Sequence, residues 1–486
     1  MLLGSAVLLA CILAARLSTR LGLPSLLIFL GLGMVVGELG LKFTDAGLAH
    51  TLGFAALVLI LAEGGFTTKW SEIKNALPIA ILLATVGVVT QVALVAVFAH
   101  FVLGIEPITA ILLGAVTSPT DSAAVFSVLR KVPLPSRIRA TLEAESGFND
   151  APIVLLVTTA TVWAVSGIDD NPAALIGDVL WELVGGLALG VAVGFVGAFV
   201  MRRIALPASG LYPLAALGWA ILAYGAGSSL HLSGFAAVYV ASVVLGNSNL
   251  PHRHATRSFA EGIGWIAQIG LFVMLGLLAD AMRISPTAIT GAVIIGVFLT
   301  FAARPLAVFL CSVWFKVPLR EMAFVSWAGL RGAVPIIMAL VPLAENAPGS
   351  DFIFDTVFCF VIVFTVLQAP TLPWASRLLK VSKGEDSTDI DIEFAPLDNI
   401  KADMMQVHIE PGSRLHGVSV REVRLPKNSV ISLIVRDHET FTPHAETRLL
   451  TGDDLLIVTR VEDRQKVERR LRSLSDYGRL ARWRDS

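Results

Sequence analysis

Apolar runs long enough to cross a bilayer recur from the first residues of this chain to about Leu379, and they leave it few folds to choose from. Hydrocarbon offers backbone N–H and C=O groups no outside partner, so a chain that crosses it must be helical or form a closed barrel. The stretch ALPIAILLATVGVVTQVALVAVFAHFVLG, residues 76–104, is continuously apolar rather than alternating, which selects helices and excludes a barrel. Composition agrees: of 486 residues, 55% are hydrophobic and 15% charged, and mean hydropathy is +0.75. The N-terminal MLLGSAVLLACILAARLSTR lacks a basic region ahead of its apolar stretch and a small-residue cleavage site, so it reads as a retained first span. A formal net charge of −1 carries no nucleic-acid signal. Cys11, Cys311 and Cys359 lie in apolar runs without CxxC spacing, which indicates neither a disulfide nor a structural metal site.

The apolar runs divide into thirteen spans, at 2–19, 23–38, 52–68, 76–103, 107–129, 138–165, 174–201, 211–228, 231–247, 258–280, 287–311, 321–342 and 352–376. Lysine and arginine in the short connections test that count, because they accumulate on the cytoplasmic side. Assigned to alternate sides, the connections carry sixteen on one side, from Arg20 to Lys383, and only Lys42 and Arg283 on the other. This split places the N-terminus outside and everything after Lys380 in the cytoplasm. The chain then turns acidic at SKGEDSTDIDIEF, giving a membrane domain over 1–381, a linker over 382–402 and a cytoplasmic domain over 403–486. In that last part MMQVHIE, SVISLIVR and DLLIVTR read as strands and VEDRQKVERRLRSL as a helix, so the module is small and α+β.

Polar residues inside spans are expensive and therefore informative. The stretch LEAESGFNDAP, residues 142–152, puts Glu143, Glu145 and Asp150 into what continues as a membrane helix. Helical spacing stacks Ser146 with Asp150 on one face and Glu145 with Asn149 about 100° away. A buried carboxylate with few donors is costly when ionised and uncompensated, so either a proton or a cation can neutralise it. Glu145 also reads as a structural partner for an arginine, and Glu143, nearer the basic Arg137–Arg139 connection, as partly hydrated.

The preceding span, ILLGAVTSPTDSAAVFSVLR, carries Pro119, which lacks a backbone donor, flanked by Ser118, Thr120 and Asp121. An unwound segment there would expose carbonyls able to coordinate a cation. A second interruption falls in VSWAGLRGAVPIIMALV, where Gly329, Gly332 and Pro335 surround Arg331. Corresponding breaks in two halves of a chain point to an inverted-repeat transporter with its site between them. Arg331 then has two readings: a counter-charge for Glu145 or Asp121, or a group balancing helix ends and ions during transport. Arg304, in FAARPLAV, reads as structural. Glu63, Glu261, Gln268 and Asn247 are candidates for lining a cavity or for helix–helix hydrogen bonds. Glycines at 31, 33 and 37 and at 185, 186, 190, 194 and 197 read as packing positions.

Taken in order, TSPTDSAAVF, LEAESGFNDAP and WAGLRGAVPI resemble the signature of the monovalent cation/proton antiporters, in the branch with an Asn-Asp pair. The resemblance implies an all-α polytopic membrane protein of about thirteen transmembrane helices, with inverted repeats and two broken crossing helices. By position it implies that Asp150 binds either cation or proton. Ser146 and Asp121 would supply ligands or shape, Thr120 its carbonyl, and Asn149 the orientation of its neighbours, while Glu145 would pair with Arg331 or Arg304. It further implies a homodimer, a dimerisation bundle beside a six-helix core, and an elevator-like motion. The tail, with LHGVSVREVRLP and the closing GDDLLIV, resembles the C-terminal half of the regulator-of-potassium-conductance module, which implies a small regulatory ligand. No Gly-rich nucleotide-binding half precedes it, so a nucleotide carried by that half is not implied.

The resulting expectation is electroneutral exchange of one K⁺ or Na⁺, K⁺ favoured, for one H⁺ in a bacterial inner membrane. No cofactor is needed, and the cation would sit on Asp150, Asp121, Ser146 and Thr120. A ligand-gated cation channel is the rival reading, and the chain has no TVGYG-like filter to support it. Neither a Ser–His nor an HExxH arrangement lies in a span, so enzymatic hydrolysis is not expected.

Overall fold

A computed structural model describes residues 2–21, 24–40, 43–121, 134–167, 172–279, 284–381, 392–397, 402–410, 413–436 and 439–477. The chain forms two compact units, Met1–Ser382 and Lys383–Ser486.

Among the described residues the first unit has eight helices long and apolar enough to cross a membrane and five shorter apolar ones. These thirteen fall on the thirteen apolar runs. In chain order they are α1 (Leu2–Leu21), α2 (Ser25–Glu38), α3 (Ala46–Thr67), α4 (Leu77–Leu103), α5 (Pro107–Thr117), α6 (Ser136–Ser166) and α7 (Pro172–Arg203). There follow α8 (Leu211–Ser229), α9 (Gly234–Asn247), α10 (Arg253–Leu278), α11 (Pro286–Phe315), α13 (Ala333–Ala344) and α14 (Ser350–Leu378), and a fourteenth, shorter helix, α12 (Leu319–Trp327), shares the twelfth apolar run with α13. Prolines at the first turn of α5 and α11 take positions whose N–H has no helical partner in any case. Gly104 closes α4 in the left-handed conformation at φ 66°.

Helices α2 and α10 approach until their backbones touch. A Cβ on Gly33 would lie 2.3 Å from the Val273 carbonyl, and one on Gly276 2.3 Å from that of Leu30. Gly65 and Gly246 do the same for α3 against α9, and Gly186, Gly190 and Gly194 for α7 against α9. The packing reading of the glycines therefore holds, except at Gly31, which faces open space. Helices α3, α9 and α10 form one layer, and α13 packs against α3, α5, α6 and α14. The residues between these layers position the site.

Helices α4 and α11 each contain a π-helical turn, Leu83–Gly87 and Leu299–Ala303. Each is followed by a broken span, α5 in the first case and α12–α13 in the second. The same order thus recurs in the two halves, as inverted repeats require.

The second unit is an antiparallel five-stranded sheet in the order β1-β2-β5-β3-β4. Its strands are β1 (Ile392–Leu397), β2 (Ala402–His408), β3 (Ser429–Arg436), β4 (Glu439–Phe441) and β5 (Asp454–Arg460), and α15 (Arg464–Tyr477) follows them. Val467, Leu471 and Leu474 of α15 are buried with Met405, Val407, Ile434, Leu455 and Ile457. Buried Asp453 accepts two bonds from Arg436, at 2.7 and 2.8 Å, and one from the Leu450 N–H. The expected strands and helix coincide with β2, β3, β5 and α15, but the segment read as a linker, 382–402, needs correction. Its residues 392–397 form β1, paired along its length with β2. The run IEFAPL was disguised by acidic neighbours and by Pro396, a residue that an edge strand tolerates.

Candidate functional site

Helix α5 stops at Thr117. The hydroxyls of Thr117 and Ser118 turn back to the carbonyls of Leu113 (2.7 Å) and Gly114 (2.6 Å), and Ser118–Asp121 leave the helical path at Pro119. The residues after Asp121, through 133, lie outside the described set, and the second part of the expected span 107–129 with them. In the other half, Ala328–Gly332 separate α12 from α13.

The two breaks bind one another. The Asp121 N–H donates to the Leu330 carbonyl at 3.0 Å, and the Asp121 carboxylate accepts from the Ala333 N–H at 2.8 Å. The Arg331 guanidinium donates to the Ser118 carbonyl and, at 3.1 Å, to Gln91, while Thr365 donates to the Arg331 carbonyl at 2.6 Å. An acid thus sits at the N-terminus of half-helix α13 and a base at the C-terminus of half-helix α5. Each is matched to the partial charge of the unsatisfied backbone groups there. Gly332 is required by this approach, because a Cβ would come within 1.8 Å of an Asp121 carboxylate oxygen.

Helix α6 supplies the other wall. Thr120 meets Ser146 hydroxyl to hydroxyl at 3.3 Å, and the Asn149 amide donates to the Thr120 hydroxyl at 2.8 Å and to its carbonyl at 3.5 Å. Asp150, one residue on, is only 5% exposed, and among the described residues its Oδ1 has no hydrogen-bond partner; the Asn149 Oδ1 is in the same position. Asp150 and Asp121 line one cavity of about 30 Å³, room for a water-sized occupant, with Gly147, Tyr239 and Gln268. Its remaining lining is mostly apolar, including Leu57, Ile60, Leu61, Leu271, Phe272 and Ile337. Tyr239 can lie there only because position 147 is glycine; a Cβ would be 2.4 Å from its hydroxyl. Monovalent cations are held by clusters of oxygen atoms, and this cavity presents carboxylate oxygens, one of them orphaned, beside a bared backbone.

Glu145 faces away from that cavity. It receives a two-pronged bond from Arg304, the second prong at 2.9 Å, and both side chains are 2% exposed. Arg304 stands directly after the π turn of α11. Of the two partners expected for Glu145, Arg304 is therefore the one it has. The counter-charge reading of Arg331 is corrected: it forms no ion pair with Glu145 or Asp121 among the described residues, and it donates instead to a main-chain carbonyl freed by the broken helix and to Gln91. Glu143 is half-buried. Asn247 clasps a helix end, accepting from the Trp70 N–H and donating to the Thr68 carbonyl, both at 2.9 Å. Glu63 packs on Gly264, outside the cavity lining.

Sequence reasoning passed over Gln91, Thr365 and Tyr239. Gln91 is fully buried and joins the Arg331 guanidinium to the π turn, donating to the Gly87 carbonyl at 3.1 Å. Its signal was available: a glutamine amid an apolar span has to find partners. Tyr239 and Thr365 carry no such signal, since both side chains are common in spans.

A thirteen-span helical unit whose two broken helices cross, beside a buried carboxylate oxygen unpartnered among the described residues, defines an ion-carrying secondary transporter. The comparisons make the class specific. Residues 6–378 match the family described as sodium/hydrogen exchanger, transmembrane, and residues 404–472 match the TrkA-C domain. The chain is 33% identical over 461 residues to the K(+)/H(+) antiporter NhaP of Alkalimonas amylolytica, covering 93% of this chain and 79% of that protein. It is 31% identical over 471 residues to the K(+)/H(+) antiporter NhaP2 of Shewanella sp. strain ANA-3, covering 94% and 80%. Its fold is that of the sodium proton antiporter MjNhaP1 from Methanocaldococcus jannaschii, with a TM-score of 0.68 and 23% identity over 77% of this chain and 97% of the other. The chain belongs to the sodium/hydrogen exchanger family: it is a multi-pass membrane cation/proton antiporter carrying a TrkA-C domain, and not an enzyme.

Proposed function

We propose that this antiporter exchanges K⁺, in preference to Na⁺, for H⁺ by letting the two ions compete for the Asp150 carboxylate. The observation that carries the reading is the orphaned Oδ1 of Asp150, buried in a cavity where the broken helices cross. An ionised carboxylate left that way is destabilised by several kcal/mol, so the site is comfortable only when a proton or a cation occupies it. Because one group serves both ions, loading one displaces the other, and the two fluxes are coupled. One cation against one proton makes the cycle electroneutral.

Asp121, Ser146 and Thr120 complete the cation shell. Asp121 stays fixed at the start of α13 by its bond from the Ala333 N–H. Asn149 holds Thr120 and thereby the unwound segment. Glu145 and Arg304 neutralise each other and hold α6 to α11, and Arg331 holds the α5 end. The preference for K⁺ rests on the names of the relatives that match over both units. The TrkA-C domain regulates exchange from the cytoplasm by binding a small ligand. The basic connections lie on the cytoplasmic side, the N-terminus lies outside, and the working unit in the bacterial inner membrane is a homodimer.

The test is dye-monitored proton movement in proteoliposomes under imposed K⁺, Na⁺ and Li⁺ gradients. The native chain is expected to respond to K⁺ at the lowest concentration, and Asp150→Asn to respond to none while remaining monodisperse. Exchange surviving in the asparagine variant would move the chemistry to another residue.

A further inference from the structure

The cavity beside Asp150 has two unlike walls. One is polar, made by Asp121 and Asp150; the other, from α3 and α10, presents Leu57, Ile60, Leu61, Leu271 and Phe272. Gln268 of α10 breaks that apolar wall. It is half-buried and lines the cavity together with Asp121 and Asp150. A side-chain amide in an otherwise apolar wall offers a donor and an acceptor to whatever occupies the cavity. Here that occupant is the transported cation, and Oε1 adds a further neutral oxygen on the side of the cavity opposite the two carboxylates. Neutral carbonyl-type oxygens and strongly charged ones do not treat cations alike: weaker fields favour the larger and more easily dehydrated ion, and carboxylates favour the smaller.

We propose that Gln268 is a specificity-determining residue that contributes its Oε1 to the cation held at Asp150 and so shifts the choice toward K⁺ over Na⁺ and Li⁺. The inference rests on the reading of Asp150 given above. Because α10 does not belong to the broken helices, the ligand comes from the opposite layer of the unit, and the cation is held between layers rather than by the crossing alone.

The experiment measures the apparent KM for K⁺, Na⁺ and Li⁺ in proteoliposomes of the full chain carrying Gln268→Leu, which keeps the bulk and removes the oxygen. The K⁺ value is expected to rise about fivefold or more, and the Na⁺ and Li⁺ values to move much less, so that the K⁺/Na⁺ ratio changes. A parallel rise for all three ions, or none, overturns the proposal, since a residue that merely shapes the cavity would not discriminate. Gln268→Glu, close in shape, provides a second reading should the leucine variant fail to insert. Added charge is expected to turn the preference toward Na⁺ and Li⁺, and an unchanged ratio again overturns the idea. Parallel Asp150→Asn liposomes separate the two claims. Silent Asp150→Asn liposomes with an unmoved Gln268→Leu ratio sink only the role of Gln268, whereas exchange that persists in Asp150→Asn together with that unmoved ratio sinks both.

Discussion

Glu143, Glu145 and Asp150 lie within eight positions of one helix and meet three different environments. Glu143 is half-buried, Glu145 is clamped by Arg304, and Asp150 keeps an oxygen without a partner among the described residues. Their substitutions should differ in kind. Glu145→Leu strands a buried guanidinium and is expected to destabilise the membrane unit by about 3–5 kcal/mol, seen as a clear fall in melting temperature in detergent. Asp150→Asn replaces an acid that needs a proton or a cation to be comfortable with a neutral group of the same shape, so its melting temperature should equal or exceed that of the native chain while exchange is lost. The opposite order of the two melting temperatures would show the roles of these acids to be exchanged. Much of this was legible in residue identity, since an acid, an asparagine and a serine at helical spacing in a span admit few uses. The partner of Arg331 was not. It is the Ser118 carbonyl, a group every residue has, and only the break in α5 makes it available.

The breaks themselves follow from Pro119 in one span and from Gly329 and Gly332 in the other, because a missing donor and missing Cβ atoms act on the backbone locally. The two π turns left no such trace. Residues 83–87 and 299–303 contain no proline; Gln91 donates to the Gly87 carbonyl at the end of the first turn, and Arg304 directly follows the second. Strand β1 was hidden for a related reason, since its pairing with β2 is set by the sheet and not by its own composition. The crossing is tight enough to test with one methyl group. Gly332→Ala places a Cβ where the Asp121 carboxylate lies, so α13 must shift away from Asp121. Turnover is expected to fall by about a hundredfold or more while the protein still inserts and purifies, as a displacement of about 1 Å at a reacting group can cause. Near-native exchange in that variant would mean that the contact between Asp121 and α13 is dispensable.

At the scale of the molecule, the thirteen spans were legible because bilayer thickness fixes the length of an apolar helix, and the charge of the connections predicts their sidedness. Cysteines introduced singly at Ser71 and Pro207 test that sidedness in intact cells. An impermeant thiol reagent should reach neither, and labelling of either one without lysis would invert the orientation. The boundary of the second unit matters for dissecting its role. A chain cut after residue 381 omits the whole sheet and is expected to exchange ions with an altered pH or ligand dependence. One cut after residue 400 keeps β1 without β2, and this bare strand should promote aggregation on size-exclusion chromatography. Equal behaviour of the two truncations would remove β1 from the working definition of the regulatory unit.

Competition of two ions for a single carboxylate makes a quantitative demand on the pH dependence of transport. In proteoliposomes of the native chain, the apparent KM for K⁺ should rise with falling pH, approaching about tenfold per pH unit once the site is mostly protonated, while Vmax at saturating K⁺ holds steady. An apparent KM that stays flat with pH, with Vmax falling instead, would mean that proton and cation occupy separate sites and would contradict the account.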